Sequence, residues 1–179
     1  MPRLRVDVGI DPYKCTVAKL REDMESVPRS VAQSKIQRRK HVNSYTMSDI
    51  TVGLTESFET EITSEMMDMF YAITADNSPI HMDAQYAKQR GYEGRVVYGM
   101  LPASLFSTLA GVYLPGEHCL LHSVECKFVK PVFIGDKLTV TGTVSEVNDT
   151  FNEITIKAVI TNADGKKVTR GVIKAGVAK

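Results

Sequence analysis

From Thr51 onward the hydrophobic and polar positions change period several times, and each period predicts an element. TVGLTESFETEIT, residues 51–63, reads as a strand. Met66, Met69, Phe70 and Ile73 then recur at helical spacing, with Ser64 placed as N-cap and Glu65 and Asp68 favouring the positive end of the helix. Met100 to Val112 is apolar nearly all round, broken only by Ser104, Ser107 and Thr108, which predicts a buried helix over about 100–112. Pro102 falls in its first turn, where a missing N–H is tolerated, and Leu114-Pro115-Gly116 ends it. The remainder alternates at period two. Leu120, Val124, Cys126 and Phe128 share one face, as do Leu138, Val140 and Val144, then Ile154, Ile156, Ala158 and Ile160. Asn162-Ala163-Asp164-Gly165 reads as a hairpin turn before VTRGVIKAGV, so these strands form an antiparallel meander. Such a sheet with one fully apolar helix needs that helix against its inner face, which predicts an α+β domain with the sheet wrapped around helix 100–112.

Composition changes this picture little. A chain of 179 residues, 43% hydrophobic and 24% charged, suits one soluble domain. No apolar run reaches the roughly 18 residues of a membrane helix, and the first residues lack the apolar stretch of a secretory signal. Asp7, Asp11, Glu22, Asp23 and Glu25 interrupt any mitochondrial leader, so the expected location is cytoplasmic. Cys15, Cys119 and Cys126 lack CxxC spacing and imply neither a disulfide framework nor a zinc site. His118 and His122 sit on a predicted strand, where four residues span about 13 Å, too far for one shared ion.

Charge divides the chain. Residues 1–45 carry ten Lys/Arg against five Asp/Glu, whereas residues 46–179 carry twelve against sixteen. The expected organisation is a basic extension over 1–45 and a single domain over 46–179. SKIQRRK, residues 34–40, reads as a solvated tail in preference to a nucleic-acid patch, and a short accessory helix is plausible over 16–27. Met47 opens a 133-residue stretch, so the extension reads either as an upstream addition to a complete domain or as a lid or interface element.

The candidate chemistry is concentrated in TADNSPIHMD, residues 74–83. Asp, Asn, Ser and Pro are turn formers, so a surface turn is one reading. An acid/base pair, Asp76 and His81, clamped by Pro79 to face one cavity, is the other. Asp83 reads as the cap of the following AQYAKQRG helix. Lys127 and Lys130 read as solvated.

FYAITADNSPIHMDAQYA resembles the signature of the MaoC-like, (R)-specific enoyl-CoA hydratases: an aromatic and a small residue, then Asp-x-Asn-Pro-aliphatic-His-x-Asp. VVYGMLPASLFSTL is similar to the second motif of that family, and FVKPVFIGDKLTV to its third, in the expected order over about residues 50–178. The resemblance implies a hot-dog fold working as a homodimer or an assembly of dimers. It implies reversible addition of water to a trans-2-enoyl thioester, giving an (R)-3-hydroxyacyl thioester. Asp76 and His81 fall on the catalytic pair, Gly99 on the glycine whose N–H holds the thioester oxygen, and Ser107 on a serine that helps order the site. Ser78, Tyr98 and Met100 would border the substrate. Three positions depart from the pattern: Ser78 where Asn is usual, Ala75 where Gly is usual, and Tyr98 where His is usual. Together they suggest altered substrate preference more than lost chemistry.

Hydration needs water deprotonated as it attacks C3 and a proton delivered at C2, work that suits a carboxylate and an imidazole. Which of the pair is base and which acid stays open. A backbone N–H at the start of a buried helix suits the developing enolate oxygen. No metal or organic cofactor is required; coenzyme A or acyl carrier protein would be the handle of the substrate, and no nucleic-acid or membrane partner is expected. Two other functions remain: a hot-dog acyl-CoA thioesterase, and a non-catalytic acyl-thioester-binding subunit.

Overall fold

The computed structural model describes residues 41–178; the basic cluster at 34–40, the helix expected over 16–27 and Cys15 lie outside the described residues. After a 3-10 turn at Met47–Asp49, the elements in chain order are β1 (Thr55–Glu61), α1 (Ser64–Thr74), α2 (Pro79–Met82) and α3 (Ala84–Gln89). They continue as α4 (Met100–Thr108), β2 (Cys119–Phe128), β3 (Lys137–Asn148), β4 (Glu153–Asn162) and β5 (Lys167–Val177). The strands form one antiparallel sheet in the order β1-β3-β4-β5-β2. Its centre is the meander that the alternation predicts. Leu138, Val140 and Val144 on β3, Ile154, Ile156 and Ile160 on β4, and Ile173 and Ala175 on β5 are buried together. Leu101, Phe106, Leu109 and Ala110 of the central helix complete this core. Each fully buried side chain of that size contributes about 1.5–3 kcal/mol. Phe106 comes close because β5 carries Gly171 beneath it: a Cβ there would stand 2.6 Å from Cε2 of Phe106. The arrangement is the α+β hot dog.

Three details differ from the expectation. The central helix is α only to Thr108; Leu109–Tyr113 continues as a π turn, with the Leu114 N–H donating to the Leu109 carbonyl at 2.8 Å. An apolar run signals burial, not the number of residues per turn. Helix α1 is capped by Thr63, whose hydroxyl accepts from the Met66 N–H, and Ser64 is its first residue. Glu65 stands in its first turn; Met67 is the residue it buries, while Ile73 is 82% exposed. Adjacent apolar residues leave a short helical stripe ambiguous by one position.

The third detail is a bulge in β2. Leu121 pairs with Ala175 and Ser123 with Lys174, so His122 is the extra residue. The bulge brings Leu121, not Leu120, onto the face of Val124, Cys126 and Phe128. Leu121, Val124 and Phe128 are 46%, 38% and 53% exposed on that edge strand.

Residues 43–45 are tied into the domain ahead of β1. The Asn43 N–H donates to the Val112 carbonyl, the Glu117 N–H to the Asn43 carbonyl, and the Tyr45 N–H to the Pro115 carbonyl. The Asn43 amide donates to Glu56 Oε1 and to the Tyr113 carbonyl, and the Tyr45 hydroxyl donates to the same Glu56 oxygen at 2.8 Å. This strap closes over the end of the π turn. His118 lies beside Ser44 and Glu117, and His122 pairs with Glu153 at 2.8 Å.

Candidate active site

Helix α1 ends at Thr74, and the candidate site begins there. Ala75, its C-cap, sits at φ 53° and ψ 22°, in the left-handed region. A Cβ makes that conformation costly, by roughly 1–2 kcal/mol, which is why glycine is usual at such ends. Exchange of Ala75 for glycine should therefore raise stability by about 1 kcal/mol, or roughly 2–4 °C in Tm. An unchanged or lowered Tm in a thermal melt would contradict the strain.

The next residues make a turn and present a carboxylate at once. The Asp76 N–H donates to the Thr74 hydroxyl at 3.3 Å, and Asp76 Oδ1 accepts the Ser78 N–H at 3.0 Å. One carboxylate oxygen thus shapes the loop, and a carboxylate retains capacity for further donors. Pro79 opens α2 at a position that needs no N–H, and the Ser78 carbonyl accepts the His81 N–H. Asp83 caps α3, its Oδ1 accepting from the Gln85 and Tyr86 N–H groups.

His81 is half-buried, with Nδ1 at 2.7 Å from the Val96 carbonyl oxygen. A carbonyl only accepts, so Nδ1 carries the hydrogen and the neutral ring keeps its lone pair on Nε2. Val96 is itself fixed, its N–H donating to the Ile80 carbonyl and its backbone bridging to Phe133. The Val97 N–H donates to the Val132 carbonyl. This extended run carries Tyr98 and Gly99 to the start of α4.

Tyr98 is 2% exposed. Its ring lies 4.3 Å from that of His81 and 5.1 Å from that of Phe70. Its hydroxyl is 2.9 Å from the Asp76 carbonyl oxygen and 3.2 Å from Met82 Sδ. Burial, and then the Asp76 charge, push the phenol above its usual range, so it stays a proton donor.

A cleft of about 340 Å³ is lined by His81, Val96, Gly99, Phe128, Lys130 and Thr169, among others. That is the small end of the range for small-molecule sites, roughly 300–1,000 Å³. Gly99 has φ −56° and ψ −36°, so no turn requires a glycine there. An added Cβ would face the Phe128 ring at 3.4 Å, on the cleft wall. Its N–H belongs to the group of donors that a helix start leaves without intrahelical partners.

The expected residues divide into two sets. His81 and Gly99 share the cleft; Asp76 stands on an exposed loop outside its lining and connects to it through Tyr98; Ser78 is half-buried beside that loop. Met100 is 59% exposed and Ser107 lies on an exposed stretch of α4, neither lining the cleft. Sequence reasoning missed Val96, Phe128 and Thr169. Thr169 is 1% exposed and is the buried polar residue among those described, a signal visible only after folding. No helix among the described residues is long and apolar enough to cross a membrane.

Comparison with known proteins bears on the family and the fold. Residues 35–165 match the MaoC-like domain family. A 3-hydroxybutyryl-CoA dehydratase of Methylorubrum extorquens is 36% identical over 99 residues, covering 55% of this chain and 63% of that protein. This chain therefore spans just under two thirds of that relative. An (R)-specific enoyl-CoA hydratase of Rhodospirillum rubrum is 32% identical over 123 residues, covering 69% of this chain and 85% of that protein. The solved R-hydratase of Pseudomonas aeruginosa superimposes with a TM-score of 0.72 at 27% identity, over 77% of this chain and 88% of that one. The match over 35–165, carried on a five-stranded hot dog with its central helix, makes this chain a member of the MaoC-like domain family.

Proposed function

We propose that the chain is an (R)-specific enoyl-thioester hydratase and 3-hydroxyacyl-thioester dehydratase, a hydro-lyase acting on coenzyme A or carrier-protein thioesters. The observation that carries this reading is the orientation of His81. Its Nδ1–H is spent on the Val96 carbonyl, so Nε2 is the atom available to a water in the cleft that also holds Gly99. Water adds its oxygen to C3, its proton passes to the Asp76–His81 pair, and a proton returns to C2 on the electron pair of the former double bond. The transient enolate oxygen lies against the Gly99 N–H at the helix start, a donor worth about 3–4 kcal/mol. The relatives named as hydratases and dehydratases support this chemistry. All of these groups belong to the chain, so the reading requires no metal or organic cofactor.

A homodimer fits the same reading. The apolar face of β2 is bare at Leu121, Val124 and Phe128, and Phe128 is also a wall of the cleft. A second copy on this edge would cover that face and finish the wall. Cys119 and Cys126 are free thiols held above their usual pKa range by burial, in keeping with a reducing cytoplasm.

One set of measurements tests both parts. Purified protein, shown by sedimentation to exceed 19.8 kDa, should remove the enoyl absorbance of crotonyl-CoA and give product oxidised by an (R)-selective dehydrogenase. Release of free CoA would point to a thioesterase. Binding of enoyl-CoAs of every chain length without turnover would make the chain a binding subunit, and a 19.8 kDa species would remove the dimer.

A further inference from the structure

We infer that Tyr98 is a positioning residue that holds Asp76 and His81 in one fixed relation, and this deepens the hydratase reading on which it rests. Asp76 and His81 belong to different local structures, an exposed loop and the short helix α2. Locally they are linked through Ser78, whose N–H donates to Asp76 Oδ1 and whose carbonyl accepts the His81 N–H, a link that leaves the Asp76 backbone and the imidazole ring to be held from elsewhere. Tyr98 touches both structures. Its hydroxyl, 2.9 Å from the Asp76 carbonyl oxygen, holds the loop at the residue that bears the carboxylate. The ring covers one face of the His81 imidazole at 4.3 Å, with the planes inclined by 38°. The single hydroxyl hydrogen favours the carbonyl over Met82 Sδ at 3.2 Å, because a thioether is a weak acceptor.

The ring is itself enclosed. It is 2% exposed, packs on Phe70, and is followed by Gly99 at the start of the central helix. One buried side chain therefore refers the Asp76 backbone, the imidazole and the backbone donor to one frame. The strained Ala75 immediately before Asp76 needs such a hold, because a left-handed alanine relaxes when its surroundings let go.

The test is Tyr98→Phe in the full chain, which keeps the ring and removes the hydroxyl. Two readings are taken: kcat and KM for crotonyl-CoA hydration, and hydrogen exchange of the Ser78 amide, which bonds to Asp76 Oδ1. The expected result is a kcat lower by about ten- to a hundredfold, KM within about twofold, and faster Ser78 exchange. A raised KM with unchanged kcat would make Tyr98 a substrate contact and overturn the inference. Unchanged kcat with unchanged exchange would overturn it as well. Should the wild-type protein hydrate no enoyl thioester, the hydratase reading falls, while the exchange comparison still decides whether Tyr98 holds the loop. Should the variant lose its fold in a thermal melt, the wild-type Ser78 amide decides: exchange as fast as in an open loop would overturn the hold.

Discussion

Exchange of His81 for glutamine should lower kcat/KM for enoyl-thioester hydration by about 10²–10⁴-fold, the usual contribution of a positioned acid–base group. Glutamine offers an amide N–H that could replace the Nδ1–H bond to Val96, but it has no basic nitrogen where Nε2 stands. The loss should therefore be chemical more than structural. The half-buried ring contributes one neutral hydrogen bond and one ring contact, together about 1–2 kcal/mol of stability. Asp76→Asn is the companion: its amide oxygen can still accept the Ser78 N–H, so the loop keeps its turn while losing its charge. Rates for both variants, measured beside their melting curves, separate the two contributions. Wild-type rates in both would return Asp76 and His81 to a structural turn.

The largest effect on stability should come from the other end of the central helix, at Gly116→Ala. Gly116 has φ +88°, and a methyl group there would overlap the Asn43 carbonyl oxygen. Backbone cannot swing aside as a side-chain tip can. The strap must then lift from the π turn, which forfeits the Glu117 N–H to Asn43 carbonyl bond and endangers the Asn43 bonds to Val112, Glu56 and Tyr113. With strain of roughly 1–2 kcal/mol at the positive φ and about 1 kcal/mol for each lost bond, the cost should be about 3 kcal/mol or more. That corresponds to a Tm lower by roughly 6–12 °C. Molecules still folded should keep their kcat, because the strap meets the π turn and the cleft lies at the start of α4. A Tm within 2 °C of wild type would show that the strap contributes little.

The sheet was readable because its inner face is a one-dimensional pattern: Leu138, Val140 and Val144, then Ile154, Ile156 and Ile160, announce which face is buried. The central helix was readable for the same reason, up to the point where its turns widen at Leu109. A bulge does not disturb composition, so His122 gave no warning that Leu120 and Leu121 exchange faces. The strap was hidden for another reason. Its bonds join Asn43 to Tyr113 and Ser44 to Glu117, separations of 70 and 73 residues at which no local period exists. At the candidate site, the family resemblance pointed to Asp76, His81 and Gly99, and also to Ser107 and Met100, which lie outside the cleft lining, whereas Tyr98 looked like an altered wall of the pocket. That its hydroxyl turns back to a carbonyl 22 residues earlier depends on how α2 and the run through Val96 pack.

That packing separates the chemistry from its support. The carboxylate, imidazole, phenol and helix-start amide all fall within residues 76–99, and the run that carries Tyr98 and Gly99 meets the segment before β3 through Val96 with Phe133 and Val97 with Val132. The candidate groups thus form a contiguous cassette joined to the five-stranded sheet domain at two adjacent contacts. Such a cassette can be exchanged as one piece between chains that share the sheet domain, leaving strand pairing untouched. Under the proposed hydratase reading, the acyl group a chain accepts can then drift through the walls, at positions such as Phe128 and Thr169, while the proposed chemistry travels with the cassette.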